Sequence, residues 1–321
     1  MKLSKSIAVL IIALLALAPA LRAQSPEELL KSGHADEAIK QLKARISTSP
    51  NDAVAYNLLA RAYLSLQNWD GAVTAGEKAA VLDPGNSRYH LWLGRAYGSK
   101  AEHSIFFKAI PLAHKTRNEF QKAVQLQSND LDAQSDLAEF FIEAPSFLGG
   151  GVDKAEAQAN QIAAMDKATA HWVQARIAEK DGRNDDAEKE YRAAINAAQH
   201  KAPYWLNLAS FDRRMKRYDD MEQAINHAVA AEHSHDDIFY EAASMLFRTG
   251  RNFPGAVQMV RRYLDSSDPV EDAPTFEAHY LLGSILEKMG DSQAAVGEYR
   301  AALSLARDYS PAQDALKRLS R

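Results

Sequence analysis

The stretch NWDGAVTAGEKAAVLDPGN, residues 68–86, repeats the pattern of ADEAIKQLKARISTSPN, residues 35–51. The alignment places Ala38 on Ala72 and Pro50 on Pro84 by the same shift. Further along, AHWVQARIAEKDG (170–182) matches AHYLLGSILEKMG (278–290), and the shift that aligns them also places EYRAA (190–194) on EYRAA (298–302). Because two separated matches share one shift without a gap, the chain is built from internal repeats.

These repeats resemble the tetratricopeptide repeat, in which two antiparallel helices occupy about 34 residues. The first-helix pattern of that family is found at Tyr56, Leu59, Ala60 and Tyr63, at Leu93, Gly94 and Tyr97, at Trp205, Leu208 and Ala209, and at Leu282, Gly283 and Leu286. The second-helix pattern is found at Ala72, Ala79 and Pro84, at Ala187, Tyr191 and Ala194, and at Ala295, Tyr299 and Ala302. We expect the small residues to lie where helices touch and the aromatic residues to fill the gaps between them.

Eight repeats can be aligned on the first small residue of the second helix. These anchor residues lie at positions 38, 72, 116, 155, 187, 221, 256 and 295, so the spacing varies from one repeat to the next. The resemblance covers residues 24–321 and implies an all-α, right-handed superhelical solenoid of stacked antiparallel helix pairs, closed by a capping helix at 311–321. A generic helical bundle is the alternative.

Two of the long spacings predict insertions, near residues 99–110 and 144–151. The first contains apolar residues that do not suit a solvated loop, so we expect them to lengthen a helix pair and to pack against the neighbouring repeat. These residues are Ile105, Phe106, Phe107, Ile110 and Leu112. In the second, Pro145 should end a helix, and Phe147 should fold the loop against the body of the protein. Insertions in repeat proteins commonly lie on one face, which is often the binding face.

Composition and charge exclude several classes of protein. A hydrophobic content of 46% with a net charge of −4 excludes a disordered chain. The absence of cysteine excludes a disulfide scaffold, thiolate metal sites and cysteine catalysis. The near-neutral charge balance gives no support for nucleic-acid binding.

Residues 1–23 have the composition of a secretory signal peptide. Lys2 and Lys5 precede an uninterrupted apolar run, 7–18, which is too short to span a bilayer as a helix. Cleavage is expected after Ala20 or Ala23. The mature chain would then have more acidic than basic residues, would contain no transmembrane segment, and would be periplasmic or extracellular. An uncleaved membrane-anchoring segment is the alternative.

No catalytic motif is present, so we expect no enzymatic activity and no cofactor. The motifs H-E-x-x-H, G-x-S-x-G and G-x-x-x-x-G-K-[ST] are all absent. The glycine run at 149–151 is best interpreted as a tight turn between helices. His233, His235 and Asp237 lie in one loop and are plausible metal ligands, which makes a metal-dependent enzyme or metal-binding protein the runner-up. His171 and His279 occupy equivalent repeat positions, which favours a structural role.

The resemblance also implies a binding surface, because first helices line a concave groove in this family. Helical periodicity then selects a set of candidate partner-binding residues: Asn57, Arg61, Arg88, Trp92, Arg95, Trp172 and Arg176. Arg61 and Arg95 occupy the same position of adjacent repeats and should project into the same channel, and their like charges are more easily explained if an acidic or carbonyl-rich ligand spans them. The alternative is that these arginines only solvate the face and pair with nearby acids of the chain. The family's clamp for C-terminal carboxylates is not matched, because Arg61 replaces the Asn that the clamp has there and Leu58 stands where the clamp requires a polar residue.

The sequence therefore predicts an exported, non-catalytic scaffold that binds a protein or peptide in the groove. A structural envelope component that assembles through its outer face is a further alternative.

Overall fold

The computed structural model describes residues 24–231 and 233–320, which form seventeen α-helices and one 3₁₀ turn and contain no strand. The helices are α1 (Pro26–Lys31), α2 (Ala35–Thr48), α3 (Ala53–Ser65), α4 (Trp69–Leu82), α5 (Ser87–Glu102), α6 (Phe106–Leu126), α7 (Leu131–Glu143), α8 (Val152–Ala163), α9 (Lys167–Lys180), α10 (Asn184–Ala197), α11 (Ala202–Arg214), α12 (Tyr218–Ala230), α13 (Asp237–Thr249), α14 (Phe253–Leu264), α15 (Thr275–Lys288), α16 (Ser292–Leu305) and α17 (Ser310–Leu319). The predicted signal peptide, residues 1–23, lies outside the described residues.

Polar residues just before the helices fix where many of them begin. At eight helix starts the preceding side chain accepts a backbone N–H of the first turn, which would otherwise have no partner. These residues are Ser25, Asp52, Asn68, Asn86, Asp130, Asp166, Asn252 and Asp291. At the end of α13, Gly250 adopts a left-handed conformation with φ of 69°, which glycine tolerates without strain.

Helices α1 to α16 form eight antiparallel pairs, one for each repeat, and α17 follows the last pair. All eight anchor residues are buried in second helices, including the two that are not alanine, Thr116 at 4% exposed and Met221 at 0%. The small residues allow close helix crossings, and Tyr191 and Tyr299, both buried, fill equivalent positions in α10 and α16. The predicted all-α solenoid of stacked helix pairs is confirmed.

The first helix of each pair lies on the concave side of the stack. First helices of successive repeats pack against one another at most junctions, for example α3 with α5, α7 with α9 and α11 with α13. Second helices of successive repeats make no comparable contact among the described residues. Because the first helices are the closer set, the stack curves around them, as expected from the family resemblance.

The two ends of the solenoid meet, so the stack of repeats closes on itself as a ring. Ala35 and Leu66, near the N-terminus, form one buried cluster with Phe276, Ala306 and Tyr309. A β-carbon on Gly33 would lie 2.6 Å from the backbone nitrogen of Thr275, so only glycine permits this approach. In addition, the backbone N–H of Arg307 donates to Asp36 at 3.0 Å. We call this contact the seam; it was not predicted from the sequence.

The insertion in the third repeat lengthens its helix pair, as predicted, but only part of it packs as predicted. Helices α5 and α6 have 16 and 21 residues, against 12 to 14 in the neighbouring pairs. Ile105, Phe106 and Phe107 are 69%, 63% and 80% exposed. The packing prediction is wrong for these three because the added turns extend past the shorter pairs on either side in the described part of the chain. It holds for Leu112, which packs against the buried cluster formed by α4 and α5.

The insertion at residues 144–151 forms the 3₁₀ turn Ser146–Leu148 followed by three glycines. A β-carbon on Gly150 would collide with the carbonyl oxygen of Ala144, which makes glycine necessary there. Lys154 donates to the carbonyl of Gly149 at 2.7 Å, so its amine closes the turn. Phe147 is 61% exposed, and its predicted packing against the body is therefore wrong.

Candidate functional site

Arg61, Trp92 and Arg95 come together on the inner surface of the ring. Arg61 lies on α3, and the other two lie on α5 one turn apart. Both guanidinium groups lie over the Trp92 indole, with central carbons 4.9 Å (Arg61) and 4.7 Å (Arg95) from the ring centroid. Stacking on an aromatic face fixes the orientation of each planar guanidinium. The predicted convergence of these two arginines is therefore present in the structure.

Acids of the chain itself pair with both arginines, which is the alternative to a bound ligand that the sequence left open. Arg61 donates from Nε to Glu271 at 2.8 Å and makes a second bond from Nη2 to the same carboxylate. Arg95 donates from Nε to Asp136 at 2.6 Å. Burial alone would lower the pKa of Arg95, but Asp136 and then Asp272 and Asp132 raise it.

Arg176 is bound in a network of carboxylates rather than free to meet a ligand. Its Nη2 donates to Glu139 at 2.8 Å and to Glu143 at 2.7 Å, and its Nη1 donates to Glu179 at 3.1 Å. Glu179 also binds Arg214 of the next first helix. This network ties α7, α9 and α11 together along the inner surface, so the first role of Arg176 is structural.

The remaining predicted residues have different environments. Arg88 is exposed and makes no ion pair within residues 24–231 and 233–320. Asn57 is only 5% exposed, and its Nδ2 has no hydrogen-bond partner among the described residues. The buried Nε1 of Trp92 is unpartnered in the same sense. Trp172 is half-buried and packs against two core clusters, so it contributes mainly to the wall of the ring.

A group of carboxylates on the opposite side of the seam was not predicted. Burial, followed by the charges of Asp237 and Asp272, raises the pKa of Glu241 from 4.5 to about 7. Solvent reaches Glu241, but the surrounding protein limits its hydration and the neighbouring acids repel its charge. Burial also raises the pKa of Glu277 to about 7, against the opposing effect of a hydrogen bond from Tyr240.

We call Arg61, Arg88, Trp92 and Arg95 the basic arc, and Asp237, Glu241, Glu271, Asp272 and Glu277 the acidic arc. They meet at the Arg61–Glu271 ion pair, whose side chains are 18% and 15% exposed. The sequence contains one signal for the acidic arc, namely the long spacing between the anchors at 256 and 295. The extra residues form the acidic loop before α15 that supplies Glu271 and Asp272.

The histidine loop proposed as a metal site is engaged in ordinary hydrogen bonds. His233 bonds through Nδ1 to the carbonyl of Ala231 at 2.9 Å, and His235 bonds to Asp268 at 2.5 Å. Asp237 begins α13. No group of three or more metal-ligating side chains is placed to hold an ion in the described part of the chain.

The equivalent histidines His171 and His279 make equivalent bonds. Each binds through Nδ1 a glutamate of the paired second helix, Glu190 and Glu298 respectively, at 2.7 Å in both cases. The repeated geometry supports the structural role that the sequence predicts for these residues. No helix in the described ranges is long and apolar enough to cross a membrane.

Comparison with known proteins gives matches to family models and to solved structures. Models described as tetratricopeptide repeat match residues 29–96, 149–203 and 276–309. The structure of yeast Tom70 is similar at 15% identity with a TM-score of 0.54, over 89% of this chain and 58% of Tom70. No curated protein sequence matches the chain.

Two smaller structures are also similar. A thermophilic tetratricopeptide-repeat protein of Thermus thermophilus has 20% identity and a TM-score of 0.46, over 55% of this chain and 90% of that protein. YrrB, described as having an unusual peptide-binding site, has 14% identity and a TM-score of 0.38, over 62% of this chain and 96% of YrrB. At these identities the structural likeness concerns the fold alone. The chain therefore contains tetratricopeptide repeats, which the family models match at three places along the stack of eight helix pairs.

Proposed function

We propose that the protein is an exported, non-catalytic scaffold that binds an extended segment of a protein partner along the inner surface of the ring. The observation that carries the proposal is the Arg61–Trp92–Arg95 stack, with the unpaired Arg88 on the same first helix as Trp92. Proteins of this family bind protein partners. A cationic and aromatic surface of this kind suits carboxylates and peptide carbonyls.

Export is part of the proposal and rests on the sequence of residues 1–23, with two lysines, a short apolar run and small residues before the expected cleavage site. Its test is the N-terminus of the protein recovered from the exported fraction. We expect the chain to begin at Leu21 or Gln24. Recovery of a chain that begins at Met1 and is tightly bound to membranes would contradict this part.

Arg88 is the best residue for testing the binding surface. Removing Arg61 or Arg95 would leave Glu271 or Asp136 without its cation, so a loss of binding could reflect a loss of structure. Arg88 is exposed and has no ion pair within the described residues, so its replacement should leave folding unchanged.

The experiment captures partners from the native exported compartment and then measures the affinity of one purified partner by calorimetry. Arg88→Glu should weaken binding by about 2 kcal/mol if Arg88 acts as an anchor residue. The matched control is Arg300→Glu on the second helix α16, where Arg300 is exposed and makes no ion pair among the described residues. If the Arg88 variant binds like the parent and the Arg300 variant does not, the outer face is the binding surface.

A further inference from the structure

The segment that joins α14 to α15, residues 266–273 with the sequence SSDPVEDA, is held firmly at both ends. At its start Ser266 donates to Asp236 at 2.6 Å. At its end the hydroxyl of Tyr263 donates to the carbonyl of Ala273 at 2.5 Å. Between these anchors the chain extends toward the basic arc and presents Glu271 and Asp272. We call residues 266–273 the acidic segment.

Glu271 binds Arg61 as an acidic ligand would. Two parallel bonds join the guanidinium to the carboxylate, one of them 2.8 Å from Nε to Oε1. Bonds of this bidentate, charge-assisted type are among the strongest that side chains form. Asp272 lies close enough for its charge to raise the pKa of Arg95, after the larger effects of burial, which lowers it, and of Asp136. Two consecutive acids thus face the two arginines that flank Trp92.

A second observation concerns the helix face that carries Arg61. Asn57 precedes Arg61 by one helical turn on α3, is 5% exposed, and its Nδ2 has no partner in the part of the chain that the structure describes. A buried amide without a hydrogen bond is costly, and such groups are uncommon in folded proteins. The acidic segment satisfies Arg61 but leaves the Asn57 amide unsatisfied.

We infer that the acidic segment occupies, in the free protein, a subsite for an acidic residue of the partner, and that the partner binds by displacing Glu271 from Arg61. The inference rests on the proposed function and names the ligand chemistry, which is an extended peptide with acidic side chains. Such a peptide would pair with Arg61 as Glu271 does and would in addition meet the unpartnered amide of Asn57. Because the acidic segment is tethered to the chain, it competes at an effective concentration on the order of millimolar. It therefore lowers the affinity of the protein for every external acidic ligand.

The test uses the chain's own segment as the probe. A fluorescein-labelled peptide, SSDPVEDAP, acetylated and amidated at its ends, is titrated with the purified full chain, and binding is followed by fluorescence anisotropy. Glu271→Gln should bind the peptide at least tenfold more tightly than the parent, because the internal competitor is weakened. The matched control is Asp265→Asn, which removes an exposed acid at the end of α14 and should bind like the parent.

Two further measurements assign the gain to the subsite. Adding Arg61→Ala to Glu271→Gln should abolish the gain, and a peptide with glutamine in place of its glutamate should bind the Glu271→Gln chain at least fivefold more weakly. If Glu271→Gln fails to fold, as judged by thermal unfolding, Glu271→Asp is used, and it should give a smaller gain in affinity than tenfold but one above the parent. Equal affinity for parent and variant, a gain that survives Arg61→Ala, or no detectable binding to any variant would overturn the inference.

Failure of this inference is distinguishable from failure of the proposed function. If Arg88→Glu weakens the captured partner while peptide affinity is insensitive to Glu271, the inner surface binds protein but the acidic segment is no competitor. If neither changes, the inner surface itself is not the site.

Discussion

The basic arc and the acidic arc are built on the same kind of helix pair but differ in whether their charged side chains are stabilised. In the basic arc Arg61 and Arg95 each have a carboxylate partner and an aromatic face, so their charges are stabilised. In the acidic arc Glu241 and Glu277 have no cation in contact among the described residues, and the pKa of each is raised to about 7, chiefly by burial. The repeat scaffold therefore determines where the inner side chains lie, whereas the chemistry of those side chains alone determines what each arc can bind.

The largest expected effect on the free energy of unfolding comes from weakening the seam, where the two arcs meet. Phe276 is 1% exposed and packs edge-on against Tyr309 with ring centroids 5.0 Å apart. Phe276→Ala should lower the free energy of unfolding by about 3–4 kcal/mol, because it leaves a cavity in the cluster that joins the ends of the chain. Denaturant unfolding measures this effect.

The control for the seam is a phenylalanine that packs against nothing comparable. Phe107 is 80% exposed at the start of α6, so Phe107→Ala should change the free energy of unfolding by about 0.5 kcal/mol or less. A cost for Phe276→Ala no larger than this would mean that the ring gains little from its closure.

The second helices behind the two arcs should be equally intolerant of larger side chains at their buried alanines. Ala72 in α4 lies behind the basic arc and Ala295 in α16 behind the acidic arc, and both are 0% exposed. Ala72→Leu and Ala295→Leu should each cost roughly 1–3 kcal/mol through overpacking. Ala157→Leu, at an exposed position of α8, serves as the control in denaturant unfolding. Unequal costs at Ala72 and Ala295 would show that the arcs differ in packing as well as in charge.

The smallest expected effect is on how the stability of the protein depends on pH. Because the pKa of Glu241 is raised from 4.5 to about 7 in the folded protein, the folded state binds more protons between these values and loses stability as pH rises. Glu241→Gln should therefore be more stable than the parent by about 1 kcal/mol at pH 8, a figure reduced for the solvent exposure of this carboxylate. The advantage should nearly disappear at pH 5. An advantage that is equal at both pH values in thermal unfolding would contradict the raised pKa.

Local repetition made the fold predictable. Eight anchor residues, the helix pairs and the equivalence of His171 and His279 all follow from spacing, because each repeat makes the same contacts as its neighbours. The convergence of Arg61 and Arg95 follows from the same rule, since residues one repeat apart project in parallel. Such inferences need only the period and the helical geometry.

Contacts between distant parts of the chain could not be predicted in this way. The Arg61–Glu271 pair joins residues 210 positions apart, and it depends on small rotations between repeats accumulating until the ends meet. No single residue of the sequence encodes the total rotation along the stack. The exposed positions of Phe106 and Phe107 were missed for a related reason, because apolar character predicts burial only where a neighbouring surface is within reach.

Closure of the ring also has a consequence for how the protein is made. The hydrogen bond from Arg307 to Asp36 joins residues 271 positions apart, so the first repeat meets its partner only when almost the whole chain has been synthesised. Synthesis proceeds from the N-terminus at about 5–20 residues per second, so the segment from α1 to α3 waits on the order of ten to sixty seconds with Ala35 and Leu66 uncovered. During this interval the nascent chain has an exposed apolar end, and we expect that end to be where chaperones act.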